Sequence, residues 1–259
     1  MSACTLVPGL AGPGEEVGPQ DVITLRYTHL GVVFQPDGSS TQVIGPDAVT
    51  VTRTSANDVV LYEYVLPLSA DDRSAIEAEV NDYLQWITPD REELVHCTDS
   101  PSTGVGVSGS IEHSSSVQIC GHEDAPPGSL VRVVNDVVAR DAPPVAETRR
   151  HWSVVVEPED PDAEAQTFEM RHGSYRAEGV PEDWAAAHKP EDGWVIDDSG
   201  ELDDRVLPPL NRTLAELDID CAAAEGTVVI TDESEEIDYE VPMCPGTAVT
   251  ELVSTLQEL

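Results

Sequence analysis

The chain has 259 residues, with 13 lysines and arginines against 50 aspartates and glutamates, for a formal charge of −37 at neutral pH. A surface of that sign repels phosphate backbones and anionic headgroups, which argues against nucleic-acid partners and against membrane adhesion through basic patches. Apolar residues make up 40% and aromatics only 5%, so the cores are expected from Val, Leu, Ile and Ala, and the length suits two domains.

At the start, Met1-Ser2-Ala3-Cys4 leads into a Gly/Pro/acidic stretch from Pro8 to Pro19, and residues 1–20 read as a flexible tether. Ser2-Ala3-Cys4 resembles the end of a bacterial lipobox, in which the cysteine becomes the lipidated first residue of the mature protein. The resemblance implies a secreted bacterial lipoprotein that meets the membrane only through a lipid anchor on Cys4. A chance tripeptide is the alternative. Nowhere does the sequence contain a run of eighteen apolar residues that would span a bilayer.

Beyond the tether, Val22 to Tyr27 alternates as a strand, Asp37-Gly38 marks a turn, and further strands are expected at about Gln42–Thr52 and Val59–Leu66. Ser69-Ala70-Asp71-Asp72 offers an N-cap with acids in the first turn. Ala75, Ile76, Val80, Tyr83 and Leu84 follow at helical spacing, which predicts a helix over about 70–86. Between Cys97 and Cys120, Val105, Val107, Ile111, Val117 and Ile119 alternate with Gly and Ser, as a hairpin requires. Pro126-Pro127-Gly128-Ser129 then opens a short helix with Leu130, Val133, Val134 and Val137. A first module over 21–141 and a linker over 142–150 follow from this, with Pro143-Pro144 in the linker.

The second module, 151–259, repeats the order. His151 to Glu157 reads as a strand, followed by a long polar stretch rich in Asp, Pro and Gly. Asp203-Asp204 is expected to cap a helix with Leu207, Leu210, Leu214 and Leu217, with Pro208 and Pro209 in its first turn. Thr227–Thr231 and Glu236–Met243 form a hairpin, and Val249, Leu252, Val253 and Leu256 mark the last helix. These four match Leu130, Val133, Val134 and Val137 at one constant offset. The fold class is therefore α+β: two tandem similar modules, each an antiparallel sheet with a packed helix, a closed hairpin and a short C-terminal helix.

Cys97 and Cys120 stand at the same interval as Cys221 and Cys244, each pair enclosing a hairpin. A disulfide within each pair is expected, and with it an oxidising, extracytoplasmic compartment. Zinc is the rival for the first pair, since His96, His113 and His122 lie beside it, but the second pair has no histidine after Trp194 and neither has CxxC spacing. Free thiols are the third reading. No metal site and no cofactor are expected.

Gly104-Val105-Gly106-Val107-Ser108-Gly109 satisfies GxGxxG, but it runs into more strand, whereas the dinucleotide fingerprint opens a helix. Ser108 and Ser110 fail the GxSxG pattern. Acid clusters at Asp160-Pro161-Asp162-Ala163-Glu164 and at Asp197 to Asp204 could gather a weakly held cation, yet neither matches an EF-hand loop. Tyr175, Trp184 and Trp194, with His188, form either a binding surface or the core of a loop-rich region. Asn211-Arg212-Thr213 matches a glycosylation sequon but sits on a predicted helix.

The module order also resembles the small α+β fold of emfourin-type inhibitors of bacterial metalloproteases, through the Asp99-Ser100-Pro101 entry to the hairpin and the Pro126-Pro127-Gly128 to Leu130 start of the last helix. The glycine-rich N-terminal part of that family is not recognisable, so no inhibitory residue carries over. The function expected first is a non-catalytic extracytoplasmic cell-envelope lipoprotein presenting two acidic modules to an unidentified protein or a cationic ligand. A secreted protease-inhibitor-like protein and a hydrolase with unassigned carboxylates are the alternatives. Mass spectrometry without reductant is expected to show Cys97–Cys120 and Cys221–Cys244 as intrachain bonds, and a crossed pairing would refute the modular scheme.

Overall fold

The computed structural model describes residues 16–30, 36–87, 102–118, 126–147, 150–160, 162–171, 174–178, 195–196, 200–219, 221 and 224–258. These fold as α+β, with two antiparallel six-stranded sheets and four helices among the described residues. The chain divides into two units, Met1–Asp58 with Glu63–Ala142, and Val59–Tyr62 with Pro143–Leu259.

The first unit's sheet comprises β1 (Val22–Leu30), β2 (Pro36–Ile44), β3 (Ala48–Thr54), β4 (Val60–Pro67), β5 (Ser102–Ser108) and β6 (His113–Gln118), in the order β4-β3-β2-β1-β5-β6. Helix α1 (Ala70–Trp86) follows β4 and α2 (Pro126–Asp141) follows β6. Alternation sorts the two faces. Ile23, Leu25, Val49, Val51, Val105 and Val107 are buried, while between and beside them stand mainly hydroxyl residues and glycine, with Arg26 after Leu25. Ile76, Val80 and Tyr83 of α1 and Leu130 and Val134 of α2 are fully buried. Ala75, expected in that stripe, is exposed, and Leu84, Val133 and Val137 are half-buried.

Helix α1 begins where the capping signal predicts. Ser69 Oγ accepts from the Asp72 amide at 3.1 Å and donates to its carboxylate at 2.6 Å. The strand expected over Gln42–Thr52 is instead two strands, because Gly45-Pro46-Asp47 turns the chain, with the Gly45 amide bonded to Ala48 O at 2.8 Å. Asp37-Gly38 lies inside β2 and makes no turn. Gly38 has φ +83°, and a Cβ there would stand 1.9 Å from Thr54 O. Glycine is needed at this point for the close approach of β3.

In the second unit the sheet order is β10-β9-β8-β7-β11-β12. Its strands are β7 (His151–Pro158), β8 (Gln166–Arg171), β9 (Ser174–Glu178), β10 (Val195–Ile196), β11 (Gly226–Asp232) and β12 (Ile237–Pro242), with helices α3 (Glu201–Ala215) and α4 (Ala248–Glu258). Trp152, Val154, Phe168, Val228 and Ile230 pack against Leu207, Leu210, Leu214, Leu252 and Leu256 in one core. The stretch read as polar and irregular therefore contains three strands. Their inward residues, Phe168, Met170 and Tyr175, are separated by Glu169, Arg171 and Arg176, and the charge obscured a period of two.

Within the expected linker 142–150, Ala146 is fully buried, and its amide and carbonyl bond the Asn211 side chain at 2.6 and 3.1 Å. The expected cap and proline positions of the next helix are corrected. Helix α3 starts at Glu201 after Gly200, whose φ is +71°, with no side-chain cap, and Asp203 and Asp204 occupy the first turn. Pro208 and Pro209 consequently lie inside the helix, where each removes an amide donor. The expected β11–β12 hairpin is present, with Tyr239 and Val241 inward and Ile237, at the turn, 44% exposed.

Cys221 and Cys244 form a disulfide with their Cα atoms 6.0 Å apart. It ties the segment before β11 to the end of β12. Cys4, Cys97 and Cys120 lie outside the described residues.

One buried cation organises the first unit. Arg73 is 3% exposed; its Nη1 donates to Ile44 O and Gly45 O at 3.2 Å, its Nη2 to Gly18 O at 3.0 Å and Asp21 O at 2.8 Å, and its Nε to Glu77 at 2.6 Å. The Asp21 carboxylate in turn accepts from the Gly18 amide at 2.7 Å and from the Ser110 amide and hydroxyl at 2.5 and 2.6 Å. Gly109, beside Ser110, has φ +134°, and a Cβ there would meet Asp21 Oδ1 at 2.4 Å. This fixes the start of β1, the β2–β3 turn, the head of α1 and the β5–β6 turn to one another.

Burial pushes the Asp21 carboxyl up, but the hydrogen bonds from Ser110 and Gly18, with the Arg73 charge, hold it below the ordinary 3.8. Asp21 therefore contributes its full stabilisation above the ordinary aspartate range and loses it as the pH falls through the lowered folded value. Asp21→Asn is expected to destabilise the first unit at pH 7 and to differ progressively less from the parent as the pH drops below that range. Urea melts at several pH values check this, and a difference that grows toward acid would refute it.

Candidate ligand-binding face

Helices α1 and α2 pack over one face of the first sheet, and the other is set by the residues alternating with the core. On β1 these are Thr24, Arg26 and Thr28; on β5, Ser102, Gly104 and Gly106; on β6, Ser114 and Ser116. Register places them in rows across the strands. Thr24 pairs with Gly106, which pairs with Ser114, and Arg26 pairs with Gly104, which pairs with Ser116. Ser102 joins the next row by donating to Thr28 Oγ1 at 3.2 Å.

The two glycines leave the middle strand without side chains between two strands that have them. The result is a trench of about 590 Å³ running along β5, floored by backbone at Gly104 and Gly106 and walled by Thr24, Arg26 and Thr28 on one side and Ser114 and Ser116 on the other. With strands about 4.8 Å apart, it spans two strand spacings in width. None of these open-face residues is acidic. Arg26 is exposed, and among the described residues no hydrogen bond or ion pair engages its guanidinium.

Backbone geometry does not require glycine at either position. Unlike Gly38 and Gly109, neither has a positive φ. A Cβ on Gly104 would meet Arg26 Cβ at 3.7 Å, and one on Gly106 would meet Thr24 Cβ at 3.7 Å, both ordinary contacts. Interior strand glycines cost stability and commonly mark a place where something approaches the backbone closely. The sequence reading met these residues only as a failed GxGxxG; the strand and the turn at Gly109 show why no helix follows. The missed signal was that every second residue from Thr24 to Thr28 of β1 and throughout β5 is a hydroxyl residue, an arginine or a glycine.

Other constellations serve the fold. Ser115 Oγ lies 2.7 Å from His113 Nε2 and 2.8 Å from the Tyr83 hydroxyl, a hydroxyl beside an imidazole as in activated nucleophiles. The three lie on the packed face beneath α1, with Tyr83 fully buried and His113 nearly so. Tyr175 is buried at 5% and donates its hydroxyl to Asp203, so its ring is a core element and takes no part in an exposed surface. Trp184, His188 and Trp194 lie outside the described residues, as do His96 and His122.

Asp160 spends its carboxylate on its own turn, accepting from the Asp162 amide at 3.0 Å, and Asp197 and Asp198 lie outside the described residues. Among the described residues no group of three His, Cys, Asp or Glu side chains is arranged to hold a metal. Asn211 of the sequon is 5% exposed, its amide engaged by Ala146. In the second unit a smaller concavity of about 390 Å³ lies beside α4, lined by Val156, Pro158, Gln166, Met243, Val253 and Gln257. The Gln257 amide donates to Gln166 Oε1 at 2.7 Å.

No protein-family model matches the chain, and no curated protein matches it. The trench therefore rests on its own chemistry. If Gly104 and Gly106 serve something other than folding, filling the floor should strengthen the fold: Gly106→Thr is expected to raise stability by about 1 kcal/mol in chemical denaturation. A loss of stability would show that packing demands the glycine.

Proposed function

We propose that the protein is a non-catalytic extracytoplasmic binding protein of the cell envelope, held by a lipid on Cys4 and built from two tandem copies of one module. The observation that carries the binding role is the trench on the open face of the first sheet, with a glycine floor its backbone does not need. The compartment is supported by Cys221–Cys244, since structural disulfides persist in oxidising surroundings. Among the described residues no helix is long and apolar enough to cross a membrane, so attachment through a modified cysteine suits this chain.

Duplication is supported by topology. In each unit four strands run as a meander, a helix follows, and a hairpin then adds beside the meander's first strand before a second helix. Among the described residues the number and order of strands coincide. What differs is the open face: on β1, β5 and β6 of the first sheet, hydroxyl residues and glycine around Arg26, and in the second sheet Glu157, Glu169, Arg171, Arg176, Asp238 and Glu240. On this reading one copy keeps a binding face and the other contributes the acidic, solvated surface.

The test is co-sedimentation of the purified, lipid-free Cys4→Ser protein, with and without Gly106→Thr, with cell envelopes from the source organism. The Cys4→Ser parent is expected to sediment with the envelopes and its Gly106→Thr variant to remain largely in the supernatant. Equal sedimentation of the two would overturn the trench as the binding site, and no sedimentation of either would overturn the binding role.

A further inference from the structure

Resting on that reading, we infer that the trench takes a saccharide bearing a carboxylate, with the acid group on Arg26 and the sugar hydroxyls on the flanking side chains. Arg26 is the one charge on the open face of β1, β5 and β6, and its guanidinium is unengaged among the described residues. A planar fork of donors matches a carboxylate in bidentate fashion. Thr24, Thr28, Ser114 and Ser116 each offer a hydroxyl that both donates and accepts, the pairing that a polyol needs.

An extended peptide fits less well. Peptides that join sheets bond to an unpaired strand edge, and β5 is paired on both sides, to β1 and to β6, so its main chain has no ladder bonds left to offer. The floor at Gly104 and Gly106 also lacks the apolar pockets that alternate peptide side chains fill. A flat sugar ring needs only the clearance that the missing side chains provide.

The net charge of −37 repels anions at long range, and this sets the condition for binding. At physiological ionic strength such repulsion is screened over about 8 Å. Acidity is also unevenly spread, 19 acidic side chains over residues 21–141 against 28 over 151–259. At contact distance Arg26 is the charge that a ligand in the trench meets.

Calorimetric titration of the full chain with trigalacturonate, with the neutral trisaccharide maltotriose and with acetyl-trialanine tests this. Trigalacturonate is expected to bind about ten-fold or more tighter than maltotriose, and Arg26→Gln to erase that preference. Gly106→Thr is expected to weaken both sugars while raising the melting temperature, which separates a filled trench from a damaged fold. Equal binding of the two sugars, an Arg26→Gln protein that keeps the preference, or tighter binding of the peptide would each overturn the proposal. If trigalacturonate fails while envelope sedimentation still depends on Gly106, the ligand class falls and the binding role stands; if both fail, both fall.

Discussion

Among the described residues each unit has two helices, and both cover the same face of a six-stranded sheet. That constraint organises everything else. The covered face must be apolar, and the other must be made of residues that tolerate water. In the first unit the period of two then sends Ile23 and Leu25 to one side and Thr24 and Arg26 to the other, and the same register carries Val105 and Val107 inward and Gly104 and Gly106 outward. The trench is thus the other side of the alternation that builds the core. A slip of one residue in β5 would bury the glycines and expose the valines.

Holding that register is the work of the Arg73 and Asp21 cluster. Four carbonyls converge on one guanidinium, and the carboxylate below it takes three donors, so segments far apart in sequence are tied at the end of the sheet where β1 begins. A buried arginine is tolerable only because its donors are matched by acceptors already present on the backbone. Removing Arg73 would take a donor from each of those four carbonyls at once, a larger loss than the ion pair with Glu77 alone suggests. In the second unit the segments are tied instead by an apolar core around Trp152 and by the Cys221–Cys244 bond.

Much of this was legible from residue order. Helix α1 starts at its Ser69 cap and spans the expected residues, the β11–β12 hairpin falls where alternation places it, and the last helix buries the expected Val249, Leu252, Val253 and Leu256. Reading failed where a local signal was diluted. Strands β8 and β9 are short and interleave charge with their inward residues, and β10 is only two residues long, so all three passed as loop. Pro208 and Pro209 drew the expected start of α3 too far along the chain, because interior prolines are ordinarily costly.

By itself the sequence determined which residues alternate, where α1 starts, and that two cysteine pairs enclose two hairpins, because these depend on neighbours a few positions apart. Only the tertiary structure decided that Arg26, Gly104 and Ser116 form one row, since they come from strands separated by as many as ninety positions and meet through the pairing of β1, β5 and β6. It likewise decided that Tyr175 is buried and that Arg73 is a core residue. Burial of a polar side chain depends on which partners long-range packing brings to it, and nothing local records that.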